Sequence, residues 1–159
     1  MKNIKMEINM QFCQMDELAT EDQELIKAAI GATANSYARY SNFNVGAALR
    51  LADGSIVIGA NQENAAFPSG LCAERSAIFA AQSQHPEHAI TTLAIAAKNA
   101  KGLMEDPISP CGACRQVILE MEDRYKRPVR ILLYGTRGIL CIASIKDLMP
   151  LSFVDENMH

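Results

Sequence analysis

The chain lacks three features that would each point to a different kind of protein. No apolar run approaches the roughly 20 residues that span a bilayer. The opening residues, Met1-Lys2-Asn3-Ile4-Lys5-Met6-Glu7, carry no apolar stretch of the kind found in a secretory signal. Both absences argue against a membrane or exported protein and predict a cytoplasmic one. There is also no excess of positive charge: 15 Lys and Arg stand against 18 Asp and Glu, a formal net charge of −3. A nucleic-acid polymer is therefore not the expected partner. Internal repeats, low-complexity stretches and domain boundaries are likewise missing. What remains is a chain of 159 residues, 49% hydrophobic, which suits one domain over 1–159 with its own core.

Cysteine is present in an odd number, five, and Cys111 and Cys114 form a Cys-x-x-Cys pair. That usage fits a metal site in a reducing compartment better than a disulfide framework.

The hydrophobic pattern predicts the elements. Ile4, Met6, Ile8, Met10 and Phe12 alternate with Lys5, Glu7, Asn9 and Gln11. This period of two predicts a half-buried strand in the N-terminal segment 1–16. Thr20 with Gln23 predicts a capping box for a helix running to about Ser36. Asn44 to Leu51 and Ser55 to Ala60 flank Asp53-Gly54, a hairpin signal. Helices are predicted from Cys72 to Gln82 and from about Cys111 to Asp123, with an apolar strand, Ile90 to Ala97, between them. Val129 to Tyr134 and Ile139 to Ala143 are joined by only Gly135-Thr136-Arg137-Gly138, so they should pair antiparallel. Ser144 and Asp147 predict a last short helix ended by Pro150. Alternating strands and helices predict an α/β layered domain on a mixed sheet.

Cys72, Cys111 and Cys114 are the candidate ligands of one zinc ion. Zinc binds thiolate, and both predicted helix starts offer unpaired N–H groups that lower a thiol pKa. Pro110 suits the start of such a helix. A strand–helix–strand–helix order can bring both helix starts to one end of the sheet. Three protein ligands leave the fourth tetrahedral position to water, whose pKa the ion lowers, in favourable sites to about 7. Glu74, two residues after Cys72, is placed to take that water's proton. Three thiolates on Zn²⁺ leave a formal charge of −1, which Arg75 and the helix ends can offset.

Two blander readings compete. A structural zinc would need a fourth Cys or His, but Cys13, Cys141, His85, His88 and His159 are not spaced as partners of the motif. Without a metal, the cysteines would be small core hydrophobes. A Cys-x-x-Cys redox protein is a further alternative, weakened by Glu74 and the third cysteine. Cys13 and Cys141 read as core residues of strands. His85 and His88 read as solvated, and so do Arg124, Lys126, Arg127 and Arg130, balanced by Glu120, Glu122 and Asp123.

Five ordered segments then carry a resemblance. They are Tyr40-Ser41-Asn42-Phe43-Asn44-Val45-Gly46-Ala47-Ala48, Asn61-Gln62-Glu63-Asn64-Ala65, Cys72-Ala73-Glu74-Arg75, Ser109-Pro110-Cys111-Gly112-Ala113-Cys114-Arg115-Gln116 and Leu148-Met149-Pro150-Leu151-Ser152-Phe153. From about Glu21 to Asp155 the chain resembles the small homotetrameric, zinc-dependent cytidine deaminases that act on free nucleosides, and a Cys-x-Glu followed by Pro-Cys-x-x-Cys is a zinc-deaminase signature. The resemblance implies a three-layer α/β/α fold on a mixed five-stranded sheet, here with an extra N-terminal strand. It implies hydrolysis of cytidine and 2′-deoxycytidine to uridine and 2′-deoxyuridine with release of ammonia, in pyrimidine salvage. It assigns Cys72, Cys111 and Cys114 to zinc and Glu74 to proton transfer, with Arg75 behind the ligands. Phe43 would pack on the pyrimidine, Asn61 and Glu63 would bind the ribose 3′-hydroxyl, and Ala73 would also touch substrate. Phe67 and Phe153 would sit at subunit contacts near the sites of a homotetramer. The chain departs from the family at residue 67, Phe where Tyr is frequent, and in its longer N-terminal segment.

Overall fold

The computed structural model describes all 159 residues. Its strands are β1 (Gln11–Cys13), β2 (Asn44–Leu51), β3 (Ile56–Ala60), β4 (Ile90–Asn99), β5 (Gly102–Leu103), β6 (Arg130–Gly135) and β7 (Gly138–Ile142). Its α-helices are α1 (Thr20–Ala32), α2 (Ala73–Gln84) and α3 (Gly112–Tyr125). The strands form one sheet in the order β1-β7-β6-β4-β2-β3, with β5 paired to β4. Only β4 and β6 run parallel, and α3 makes the crossover that a parallel pair requires. The β2–β3 and β6–β7 hairpins are antiparallel, as their short connections predict.

The central strand β4 is buried on both faces along most of its length. Its residues divide between two cores by the period of two. Leu93 and Ile95 join Leu49, Leu51, Ile131 and Leu133 under α2 and α3. Ala94 and Ala96 join Ala48 and Leu132 under α1. These two cores make the three layers, α/β/α.

Glycine and alanine set how close the helices come. A Cβ on Gly46 would lie 2.1 Å from the Ala29 carbonyl oxygen of α1. A Cβ on Gly59 would lie 2.5 Å from the Ala77 nitrogen of α2. Each helix therefore rests directly on backbone, so α2 is held at a fixed height over the sheet.

Three local expectations change. The N-terminal strand is confined to Gln11–Cys13, where β7 supplies partners, and residues 1–10 belong to no element. Thr20 is the first residue of α1 rather than its cap: Ala19 caps with no side-chain bond, and Gln23 donates instead to the Leu18 carbonyl at 2.9 Å. Glu122 is not a solvated counter-charge. It is 6% exposed and accepts bonds from the Val129 and Ile145 amides and the Ser144 hydroxyl. Arg130 stays exposed as expected, and donates through two nitrogens to both carboxylate oxygens of Asp22 on α1, at 3.2 and 2.7 Å. The segment after Ser144 is a short 3-10 turn, and the Ser144 hydroxyl accepts from the Lys146 amide.

Candidate active site

Two helix N-termini meet at the cysteine cluster. Cys72 is the N-cap residue of α2 and Cys111 that of α3, with Cys114 one turn further along α3. The sheet forces this meeting, because α2 leads into β4 and α3 leads from β4 towards its neighbour β6. Cys72 Sγ and Cys111 Sγ stand 3.8 Å apart, and all three sulfurs lie within 4.8 Å of one another. Thiolates about 2.3 Å from a tetrahedral zinc stand roughly 3.8 Å from each other. The donor set therefore fits zinc in both chemistry and spacing. The cluster has three members, which leaves one tetrahedral position for a non-protein ligand.

The electrostatics differ around each sulfur. Burial raises the Cys111 thiol pKa, but hydrogen bonds from the Cys114 amide and from the neighbouring thiols outweigh it, and the net direction is down. Cys114 is driven up, by burial first and by the Glu74 charge second. Arg75 donates from its guanidinium to Cys72 Sγ at 3.4 Å. Its Nε is buried with no partner, a cationic donor left beside the sulfurs. That arrangement suits an anionic three-thiolate site.

Glu74 sits in the first turn of α2, only 5% exposed. Its Oε2 accepts a long contact from the Cys114 thiol at 3.6 Å. Burial raises its pKa above the ordinary carboxylate range, against the lowering effect of its hydrogen bonds and of Arg75. A carboxyl shifted upward holds a proton nearer neutral pH, as proton transfer requires.

Beside the cluster lies a cleft of about 330 Å³, lined by Tyr40, Asn61, Glu63, Phe67, Cys72 and Arg75 among others. Asn61 and Glu63 both hold its loop. Asn61 Oδ1 accepts from the Val45 amide at 2.8 Å and the Ser36 hydroxyl at 2.6 Å, while Nδ2 donates to the Phe43 carbonyl at 2.9 Å. Glu63 Oε1 accepts from the Tyr40 and Ser41 amides, each at 2.9 Å. Those bonds, the Ser41 amide foremost, hold its carboxyl below the usual range. The backbone between them turns through Asn42 at φ 55°, a conformation that Asn tolerates better than most residues. Phe43 follows, half-buried, where its carbonyl is tied to Asn61. Sequence patterning assigns Asn61 and Glu63 no such holding role, since it rests on bonds between distant segments.

Ala73 is fully buried at the start of α2. Phe67 packs edge-on against Tyr40, with ring centroids 5.9 Å apart, and is otherwise exposed. Phe153 is exposed on the segment after Pro150. Two residues of α3, given no role above, place that segment. Arg115 donates to the carbonyls of Pro110 and Leu148, at 2.9 and 2.8 Å, and Gln116 donates to the Phe153 carbonyl at 2.9 Å. Their signal in the sequence is adjacency: they directly follow Cys114 on the same helix.

A buried carboxylate and three thiolates at paired helix starts define a zinc hydrolase type of site. Comparison with known proteins agrees. The family profile for the cytidine and deoxycytidylate deaminase zinc-binding region matches residues 19–128. A cytidine deaminase of Halalkalibacterium halodurans is 38% identical over 137 residues, 86% of this chain and 97% of that protein. A cytidine deaminase of Sporosarcina psychrophila is 37% identical, over 86% and 93%. The crystal structure of cytidine deaminase from Burkholderia pseudomallei superposes with a TM-score of 0.69 at 38% identity, covering 82% of this chain and 97% of that one. The cytidine deaminase structure from Mycobacterium tuberculosis gives 0.67 at 31%, covering 86% and 99%. The chain belongs to the cytidine deaminase family.

Proposed function

We propose that this protein hydrolyses free cytidine and 2′-deoxycytidine to uridine and 2′-deoxyuridine, releasing ammonia, as a step of pyrimidine salvage. The observation that carries the proposal is the buried Glu74 beside the cluster of Cys72, Cys111 and Cys114. When bound there, zinc supplies a Lewis acid that lowers the pKa of a water to be used as nucleophile. Glu74 takes a proton from the attacking water and delivers it to N3 of the ring as oxygen adds to C4. The remaining proton of the added hydroxyl then passes through Glu74 to the amino group as the C4–N bond breaks, so cytidine and water become uridine and ammonia. Phe43 packs against the pyrimidine, and Ala73 lies at its edge. Asn61 retains one N–H beyond its bond to Phe43, and Glu63 retains acceptor capacity, so both have a group to offer a ribose hydroxyl. Arg75 steadies the thiolate charge through Cys72.

The acidic net charge and the small cleft support a free nucleoside as substrate over a base within a polymer. The exposed rings of Phe67 and Phe153 support a homotetramer with subunit contacts near the sites. A monomer by light scattering would refute that assembly. No helix is long and apolar enough to cross a membrane, which supports the cytoplasmic reading.

The direct test is the ultraviolet absorbance change of cytidine with the zinc-loaded protein, beside Glu74→Gln. Conversion by the wild type alone supports the reaction and the role of Glu74 together. No conversion of cytidine or deoxycytidine at one zinc per chain would overturn the proposal.

A further inference from the structure

The segment before β1 has a pattern that the catalytic site does not use. All of residues 1–10 are exposed, and none takes part in the backbone bonds of turns, loops and caps. From Ile4 onwards the apolar side chains share one parity, and the row continues into β1: Ile4 is 81% exposed, Met6 57%, Ile8 49%, Met10 49% and Phe12 59%. In the sheet Phe12 stands opposite Leu140, whose side chain packs on the core under α2 and α3. The apolar row thus continues the covered face of the sheet into solvent.

The backbone of this arm is equally unmatched. β1 is the edge strand, with only β7 beside it. Gln11 pairs with Cys141, and β7 ends one residue later at Ile142. Beyond Met10 the arm has no strand on either side. An apolar row of period two marks a strand with one covered face, and an open edge is a template for another strand.

We infer that this arm pairs with the arm of a second copy of the chain, antiparallel and centred on Met6. Symmetric registers that keep the apolar row on one face are centred on a single residue. Centring on Lys5 or on Glu7 sets that charge against itself, and centring on Ile8 sets Lys5 opposite Gln11 and Glu7 opposite Asn9, with no charge pair. Centring on Met6 sets Lys5 opposite the partner's Glu7, and does so twice by symmetry. It also sets Ile4 opposite the partner's Ile8 and Met6 opposite the partner's Met6. Opposite charges and matched apolar residues face to face favour an antiparallel pair, and like charges oppose it. The pairing extends each sheet from β1 and leaves the zinc site untouched, so it does not depend on the proposed reaction.

Cysteine cross-linking of the full-length, zinc-loaded protein reads the register directly. Under mild air oxidation, Met6→Cys should yield chains joined residue 6 to residue 6, identified by peptide mass. Cα atoms opposite each other in an antiparallel pair, about 4.5–5.5 Å apart, lie within disulfide reach. Ile4→Cys alone should give no 4-to-4 product, whereas mixing it with Ile8→Cys should give a 4-to-8 product. Adding Lys5→Glu to Met6→Cys makes both charge pairs repulsive and should cut the yield by roughly fivefold. Adding Glu7→Lys as well should restore it. Absence of the 6-to-6 product, equal linkage from Ile4→Cys alone, or no rescue by the double reversal would overturn the inference.

Discussion

Glu74 and Glu122 are equally buried, at 5% and 6% exposure, yet they are held in opposite ways. Glu122, towards the end of α3, accepts from two backbone amides and a hydroxyl, all between 2.7 and 3.1 Å. Glu74, at the start of α2, has its own backbone amide, a long thiol contact at 3.6 Å and a cation on the next residue, and no donor from another segment's backbone. A carboxylate with its lone pairs filled by fixed donors is a structural brace. One that is buried and under-satisfied is destabilised as an anion and available to carry a proton. Burial alone does not separate the two roles; the donors do.

The largest effect that would sharpen this contrast is on turnover. Glu74→Gln should keep zinc and fold while kcat falls by about 10²–10⁴-fold, the usual contribution of general acid–base catalysis. Near-normal turnover would erase the distinction drawn from hydrogen bonding. Cys111→Ala should lower bound zinc well below one per chain, whereas Cys141→Ser should leave it at one. Elemental analysis of both variants checks this. Cys141 also lies close to another sulfur, 3.6 Å from Cys13 Sγ, but that pair has no third member, whereas Cys72, Cys111 and Cys114 form a group of three.

The converse variant attacks the brace. Glu122→Leu leaves the Val129 and Ile145 amides unpaired in a buried place. The expected cost is about 3 kcal/mol of folding stability, as for breaking a buried charged hydrogen-bond set. Urea unfolding measures it, and the activity of the folded fraction should persist. A stability loss below about 1 kcal/mol would show that water can replace Glu122.

Much of this contrast was legible before any fold was known, and part was not. Cys72, Glu74, Cys111 and Cys114 announce themselves because metal chemistry restricts residue type and spacing. The helices that begin at those cysteines follow from local pattern, as does the Asp53-Gly54 hairpin. Glu122 was hidden because its partners come from Val129, Ser144 and Ile145, and no local pattern tells a buried acid from a solvated one. The strand expected over Ile4 to Phe12 shrinks to three residues for a related reason. Alternation marks which side chains seek cover, whereas a strand exists only where a neighbour completes the ladder.

The smallest expected effect concerns Glu63, a half-buried carboxylate that shares Glu122's manner of binding. Its pKa in the folded chain lies below its ordinary value, because the Ser41 and Tyr40 amides favour the anion. A group with a depressed folded pKa adds stability above its unfolded pKa and loses it as pH falls through the folded one. The Tyr40–Phe43 turn should therefore hold at neutral pH and loosen only in acid, below the usual carboxylate range. Glu63→Gln keeps the acceptor oxygen but cannot titrate, so amide exchange at Tyr40 and Ser41 should lose its acid dependence. An acid dependence unchanged in that variant would place the titrating group elsewhere. It would also leave Glu74 as the one carboxylate near the cleft whose protonation state matters.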